Sequence, residues 1–107
     1  MKQTLNQIKS LITTVNNRYK LEGFTIVGIF GSYAKNSANS YSDIDIAYML
    51  DPITFNTRYQ GGYAKLLRIE EIKNELQKLL QLKVDLSSLN SGNVKFNENI
   101  KKDMVYV

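Results

Sequence analysis

The sequence predicts an α/β domain in which short strands and amphipathic helices take turns along the chain. Three observations predict it. Apolar residues recur at three- and four-residue steps near the N-terminus and again over 66–80, the period of helices with one buried face. Phe24 to Phe30 is apolar on both pleat faces, as a covered central strand is. Residues 43–50 alternate, as a strand with one core face does.

In order, Leu5, Ile8, Leu11, Ile12, Val15 and Tyr19 place a first helix over Lys2 to Lys20, with Gly23 as its stop. In the strand that follows, Phe24, Ile26 and Phe30 point one way and Val27 and Ile29 the other. Gly31 ends it, and Ser32 is a good N-cap for a short helix through Tyr33, Ala34 and Lys35. Asn36 to Ser42 reads as polar loop. In the next strand Ile44, Ile46, Tyr48 and Leu50 share one face; Asp43, Asp45, Ala47 and Met49 share the other. Asp51-Pro52 breaks it, and 51–62 reads as a polar connection ending in Gly61-Gly62. Leu66, Ile69, Ile72, Leu76, Leu79 and Leu80 trace a second long helix. On it, Arg68 with Glu71 and Glu75 with Lys78 are expected to be surface ion pairs of small value. Leu82 to Leu86 reads as a third strand, with Asp85 on the face opposite Val84 and Leu86. Ser88 to Asn93 reads as loop, Val94 to Lys102 as a short helix, and Met104 to Val107 as a final edge strand.

The 107 residues are expected to form one domain, 1–107, with one core. The chain has neither cysteine nor histidine. That excludes disulfides, thiolate and imidazole metal sites, and every Ser-His-Asp or Cys-His arrangement. The net charge of +4 fits solubility and fits attraction to an anionic partner. The 14 Lys and Arg are scattered, with Lys101-Lys102 the only doublet, which weighs against a nucleic-acid tract. The N-terminal residues lack a signal-peptide core, and no apolar run approaches the about 18 residues of a membrane span. The expectation is a cytoplasmic protein without membrane contact.

Chemistry concentrates in residues 31–45. On a strand, residues i and i+2 share a face about 6.6 Å apart, so Asp43 and Asp45 aim at one point. If the strand bearing Asp85 pairs beside them, its backbone lies about 4.8 Å away and three carboxylates converge. Without cations this costs repulsion and raises at least one pKa. With two Mg²⁺ ions about 3.5–4 Å apart it becomes the arrangement used for in-line phosphoryl-type displacement. Gly31 lacks a Cβ, so a phosphate can approach its backbone. A helix beginning at Ser32 would offer N–H groups, the Ser hydroxyl adds a donor, and Lys35 sits one turn on. Each piece alone has an ordinary reading as a turn, a cap or a solvated strand face. The combination is much rarer than its parts.

Gly31-Ser32, ten residues, then Asp43-x-Asp45 resembles the signature of the DNA polymerase β-like nucleotidyltransferase superfamily. The short length looks like its minimal nucleotidyltransferase branch, where the signature often reads Gly-Ser-x-Ala-Arg-Gly followed by Ser-Asp-Ile-Asp. This chain has Gly31-Ser32-Tyr33-Ala34-Lys35-Asn36 and Ser42-Asp43-Ile44-Asp45. Lys35 keeps the charge of the usual arginine but lacks its fork. Asn36 replaces a glycine and tolerates left-handed backbone better than most residues. Both departures bear on phosphate affinity. The third family carboxylate matches Asp85, and the ending near Val105-Tyr106 also fits.

The resemblance implies a small mixed sheet in strand order 1-2-3 plus a short edge strand, with helices packed on it. It implies ATP as substrate, two Mg²⁺ ions, and an HEPN-domain RNase toxin as partner, with this chain as its antitoxin. The implied reaction moves AMP from ATP to a tyrosine of that toxin. Asp43 and Asp45 would bridge the metals, while Asp85 would bind one and help deprotonate the acceptor. Gly31 and Ser32 would hold the β- and γ-phosphates, assisted by Lys35. The short chain leaves nothing to present an acceptor, so the acceptor is expected on a partner docking over an open cleft. Two other readings stand beside this one. The same fold could neutralise a toxin by contact alone, or act on a small molecule or nucleic acid. Nothing in the residues reads a base.

Overall fold

A computed structural model describes residues 4–35, 37–38, 43–90 and 93–107. The expectations for Asn36, Ser42 and the helix start at Lys2 fall outside these residues. In chain order the elements are α1 (Leu5–Lys20), β1 (Phe24–Phe30), β2 (Ile44–Leu50), α2 (Pro52–Arg58), α3 (Gly62–Leu80), β3 (Val84–Ser88), α4 (Val94–Lys102) and β4 (Val105–Tyr106).

The four strands form one mixed sheet in the order β3-β2-β1-β4. β1 is antiparallel to both β2 and β4, and β2 is parallel to β3. This is the expected 1-2-3 order with an edge strand. Where β4 is too short to pair with Ile26, the Asn16 side chain of α1 takes over. It accepts from the Ile26 N–H at 2.9 Å and donates to its carbonyl at 3.0 Å. A buried backbone amide left unpaired would cost about as much as a lost hydrogen bond. Asn90 does the same for Leu50 at the other edge, at 2.7 and 3.1 Å.

The pleat of β1 departs from expectation at one place. The pairing skips from Ile26↔Tyr48 to Gly28↔Ala47, so Val27 is an extra residue. A bulge of this kind shifts every later side chain to the other face. Ile29 therefore joins Phe24 and Ile26 in the core formed with α1 and α3. Phe30 moves to the opposite face, paired with Asp45. On that face Gly28 lets the chain after α4 close down, since a Cβ would strike Met104.

α1 starts at Thr4, which exchanges hydrogen bonds with Gln7 in a capping box. Its buried face is Ile8, Ile12, Asn16 and Tyr19. The stretch 51–62, expected as a polar connection, contains α2. Asp51 accepts from the Ile53 N–H as N-cap, Pro52 sits in the first turn, and Phe55 is fully buried. The dipeptide that stops the strand also starts a helix, because Pro fits the first helical turn. Leu66 is 69% exposed on α3, not core-facing as expected; Ile72, Leu76 and Leu80 carry the buried face.

The polar residues of α3 also differ from expectation. Arg68 is not a surface residue: its side chain is 15% exposed and binds both oxygens of buried Glu22, at 2.7 and 2.8 Å. It also reaches Glu75 at 3.1 Å and Glu71 at 3.4 Å. Tyr59 donates to Glu22, and Tyr19 donates to Glu75 at 2.7 Å. Glu75 thus pairs with Arg68 and Arg18, in place of the expected Lys78. The Arg68 guanidinium holds Glu22 below the usual carboxylate range, and burial with Glu75 pushes Tyr19 up to about 12. Among the described residues no helix is long and apolar enough to cross a membrane.

Candidate active site

The site is built on the face opposite the α1–α3 core, at the end of β1 and the start of β2. Asp43 is exposed just before β2. Asp45 is the second residue of β2 and partly buried. Its neighbours in register are Phe30 on one side and Asp85 on the other. Residues in register on adjacent strands project to the same face, their backbones about 4.8 Å apart. The expected placement of Asp85 beside the Asp-x-Asp pair is therefore what the sheet provides. Burial, then the charges of Asp85 and Asp43, push the Asp45 carboxyl above its ordinary range. Burial and neighbouring like charges both disfavour the ionised form of a carboxyl. Among the described residues no three acidic side chains close around one point as a bound ion would need. The donors available on this face are carboxylate oxygens, which suit a hard cation such as Mg²⁺.

Gly31 closes β1 at φ +74°, in the left-handed region, and the Asp45 carboxylate lies directly over its Cα. A Cβ there would collide with Oδ2 of Asp45. The missing side chain is thus what lets turn and carboxylate meet. The expected short helix at 33–35 is instead one turn, closed by the Lys35 N–H to the Gly31 carbonyl at 3.1 Å. The Ser32 carbonyl accepts from the Ser37 N–H at 2.9 Å. A lone turn has no helix dipole to speak of, so an anion here would meet local N–H and hydroxyl donors only. Tyr33 anchors the turn: its ring is buried in the main core. Only its aromatic character, at the one apolar large position of the turn, signals this in the sequence.

Lys35 faces Asp103 at the end of α4, Nζ to Oδ2 3.8 Å, with both side chains more than half exposed. Such a pair is worth little and lets Lys35 swing toward another anion. Asp103 gives no local sequence signal of this contact, since it lies far along the chain.

Residues 9–107 match the family model described as polymerase beta, nucleotidyltransferase. The chain belongs to the polymerase beta nucleotidyltransferase family. It is a nucleotidyltransferase of the minimal kind. A curated relative, protein adenylyltransferase MntA of Thermococcus cleftensis, is 33% identical, covering 97% of this chain and 96% of its own. A solved structure described as a candidate minimal nucleotidyltransferase superposes with TM-score 0.73 at 21% identity, covering 98% and 97% of the two chains. Another, described as a toxin–antitoxin with AMP-PNP, superposes with TM-score 0.61 at 23% identity, covering 94% of this chain and 69% of that one. These two share the nucleotidyltransferase fold.

Proposed function

We propose that this nucleotidyltransferase is an antitoxin that transfers AMP from ATP to a tyrosine of an HEPN-domain RNase toxin. The reading covers the whole chain, 1–107, as one minimal domain. The observation that carries it is the Asp45 carboxylate lying over the bare Cα of Gly31, with Asp85 in register beside it. A turn that accepts phosphates then meets the residues that hold cations. The relative named protein adenylyltransferase supports adenylyl transfer, and the neighbour described as a toxin–antitoxin with AMP-PNP supports a toxin as partner and an adenine nucleotide as donor.

In this mechanism Asp43, Asp45 and Asp85 would hold two Mg²⁺ ions, which supply positive charge at the attacking and leaving oxygens. Gly31 lets the β- and γ-phosphates lie against the backbone, and the Ser32 hydroxyl donates to them. Lys35 leaves Asp103 to add charge beside the triphosphate. Asp85, exposed on the edge strand β3, accepts the proton of the incoming tyrosine hydroxyl. The tyrosine oxygen bonds to the α-phosphorus, the bond to the bridging α–β oxygen breaks, and pyrophosphate departs. The tyrosine belongs to the toxin, which docks over the open carboxylate face.

Intact-mass measurement of the toxin partner, incubated with this protein, Mg²⁺ and ATP, tests the proposal. The expected result is a gain of one or more AMP units, abolished by Asp43→Asn. No gain while the two proteins still form a complex would replace catalysis with neutralisation by contact. Transfer to a small molecule without complex formation would overturn the antitoxin reading itself.

A further inference from the structure

α3 carries a stripe of apolar side chains turned away from its buried face. Tyr63 is 81% exposed, Leu66 69% and Leu67 49%. They stand at three- and four-residue steps on one helix, so they form one continuous surface. Single exposed apolar residues are ordinary on a protein; a contiguous set marks a place where something docks. Glu70 and Asn74, both exposed, continue the stripe toward the C-terminal end. At the other end α3 begins in the open: a Cβ on Gly61 or Gly62 would meet nothing within 4 Å. Gly61 caps the helix without a side chain, and the first turn holds no acidic residue. The free N–H groups and the positive dipole end there lack an anion. Charge is divided the same way along the chain. Residues 52–69 include Arg58, Lys65 and Arg68 and no acid, and Glu70 and Glu71 follow.

A stripe with an apolar middle, an anion at one end and an unmet positive helix end at the other complements itself when turned around. We infer that two copies of this chain pair through α3, antiparallel, about a two-fold axis between Leu66 and Leu67. Across such an axis, facing residues keep a constant sum of their numbers. Leu66 then meets Leu67 of the second copy, and Tyr63 meets Glu70. The Tyr63 hydroxyl donates to that carboxylate, which comes to lie beside the uncapped helix start. Parallel pairing would instead set Glu70 against Glu70 and leave both helix starts without an anion. The pairing keeps both carboxylate faces open, because α3 packs on the opposite side of the sheet. It does not depend on the transferase reading.

The test is sedimentation equilibrium of the full chain alone over about 1–100 µM, the range for a small two-helix interface. The mean mass should climb from one chain toward two. Leu66→Glu sets like charges beside the axis and should weaken the dimer about tenfold or more. Its circular dichroism and Tm, read where the wild type is monomeric, should match the wild type, because residue 66 is outside the core. Two single-cysteine variants read the direction, in a chain with no other cysteine. Tyr63→Cys mixed with Glu70→Cys should cross-link through a short bis-maleimide, and neither should do so alone. A chain monomeric throughout overturns the inference, as does a dimer that Leu66→Glu leaves intact. Cross-linking of either cysteine variant by itself overturns the antiparallel arrangement. A monomeric wild type whose complex with the toxin is lost in Leu66→Glu would give the stripe to the toxin, and the pairing falls.

Discussion

The two faces of the sheet are built to opposite rules. On one, Ile26, Ile29, Ile44 and Ile46 are at most 1% exposed and pack with Ile8 and Ile12 of α1 and Ile72, Leu76 and Leu80 of α3. On the other, among the described residues, Ala47, Leu89, Ile100 and Met104 form a small buried cluster with Val27 and Phe30. The rest of that face carries Asp45 and, in register, Asp85. The first face is close-packed and holds the domain together. The second gives up burial at one end, where Asp45 is only partly buried and Asp85 is exposed. Packing and the proposed chemistry thus fall on two sides of a sheet four strands wide.

The comparison breaks most visibly on the packed side. Leu76 is fully buried in the main core. Leu76→Ala should cost about 2–5 kcal/mol, the range for a buried leucine whose cavity does not collapse. Thermal unfolding should shift down by more than about 10 °C. Transfer per folded molecule should stay within about twofold, because nothing on the carboxylate face touches this residue. A large loss of activity below the unfolding range would mean that the two faces are coupled through the sheet.

The next effect sits at the junction of the two. Gly31→Ala places a Cβ against the Asp45 carboxylate and an L-residue at φ +74°. The left-handed backbone costs about 1–2 kcal/mol for a residue other than glycine. Since Asp45 must also move aside, activity should fall by more than the about 10–100-fold typical of losing an outer metal partner. Denaturant titration and transfer kinetics on one preparation read both. Full activity in this variant would remove the contact between turn and carboxylate from the mechanism.

What the sequence discloses about these faces depends on how local the cause is. α4 and the Gly-Ser and Asp-x-Asp positions rest on patterns a few residues long, and these were legible. The order of strands, and with it the place of Asp85 beside Asp45, followed only from the family resemblance, because strand pairing is not a local property. The side of Phe30 was not: it turns on one extra residue at Val27, which looks like any other β-branched strand residue. α2 was hidden because Asp51-Pro52 both ends a strand and begins a helix. Arg68 was misread because spacing along a helix finds Glu71 but not Glu22, which lies 46 residues away. Lys35 and Asp103 meet for the same reason, through the tertiary fold.

The smallest effect discriminates the faces most sharply, because it depends on pH. Burial and the charges of Asp85 and Asp43 raise the Asp45 pKa above its ordinary 3.8. A carboxyl with a raised folded pKa binds its proton more tightly in the folded state. Stability on its account is full below pH 3.8 and declines as pH climbs through the folded pKa. Asp45→Asn removes the charge and its repulsion. The variant should therefore match the wild type in strong acid and become the more stable of the two toward neutral pH, while losing transfer activity. Glu22 carries the opposite sign: Arg68 lowers its pKa from 4.5, so its contribution is lost as pH falls through the folded value. The two contributions run in opposite directions with pH, so wild-type melting curves alone mix them. The difference between wild type and Asp45→Asn cancels Glu22 and leaves Asp45. Adding Mg²⁺ at neutral pH should raise the wild-type Tm and leave Asp45→Asn nearly unmoved, since a ligand stabilises only the state that binds it. A variant that is less stable than wild type at neutral pH would mean that Asp45 is held by favourable contacts, and that its face is packed like the other one.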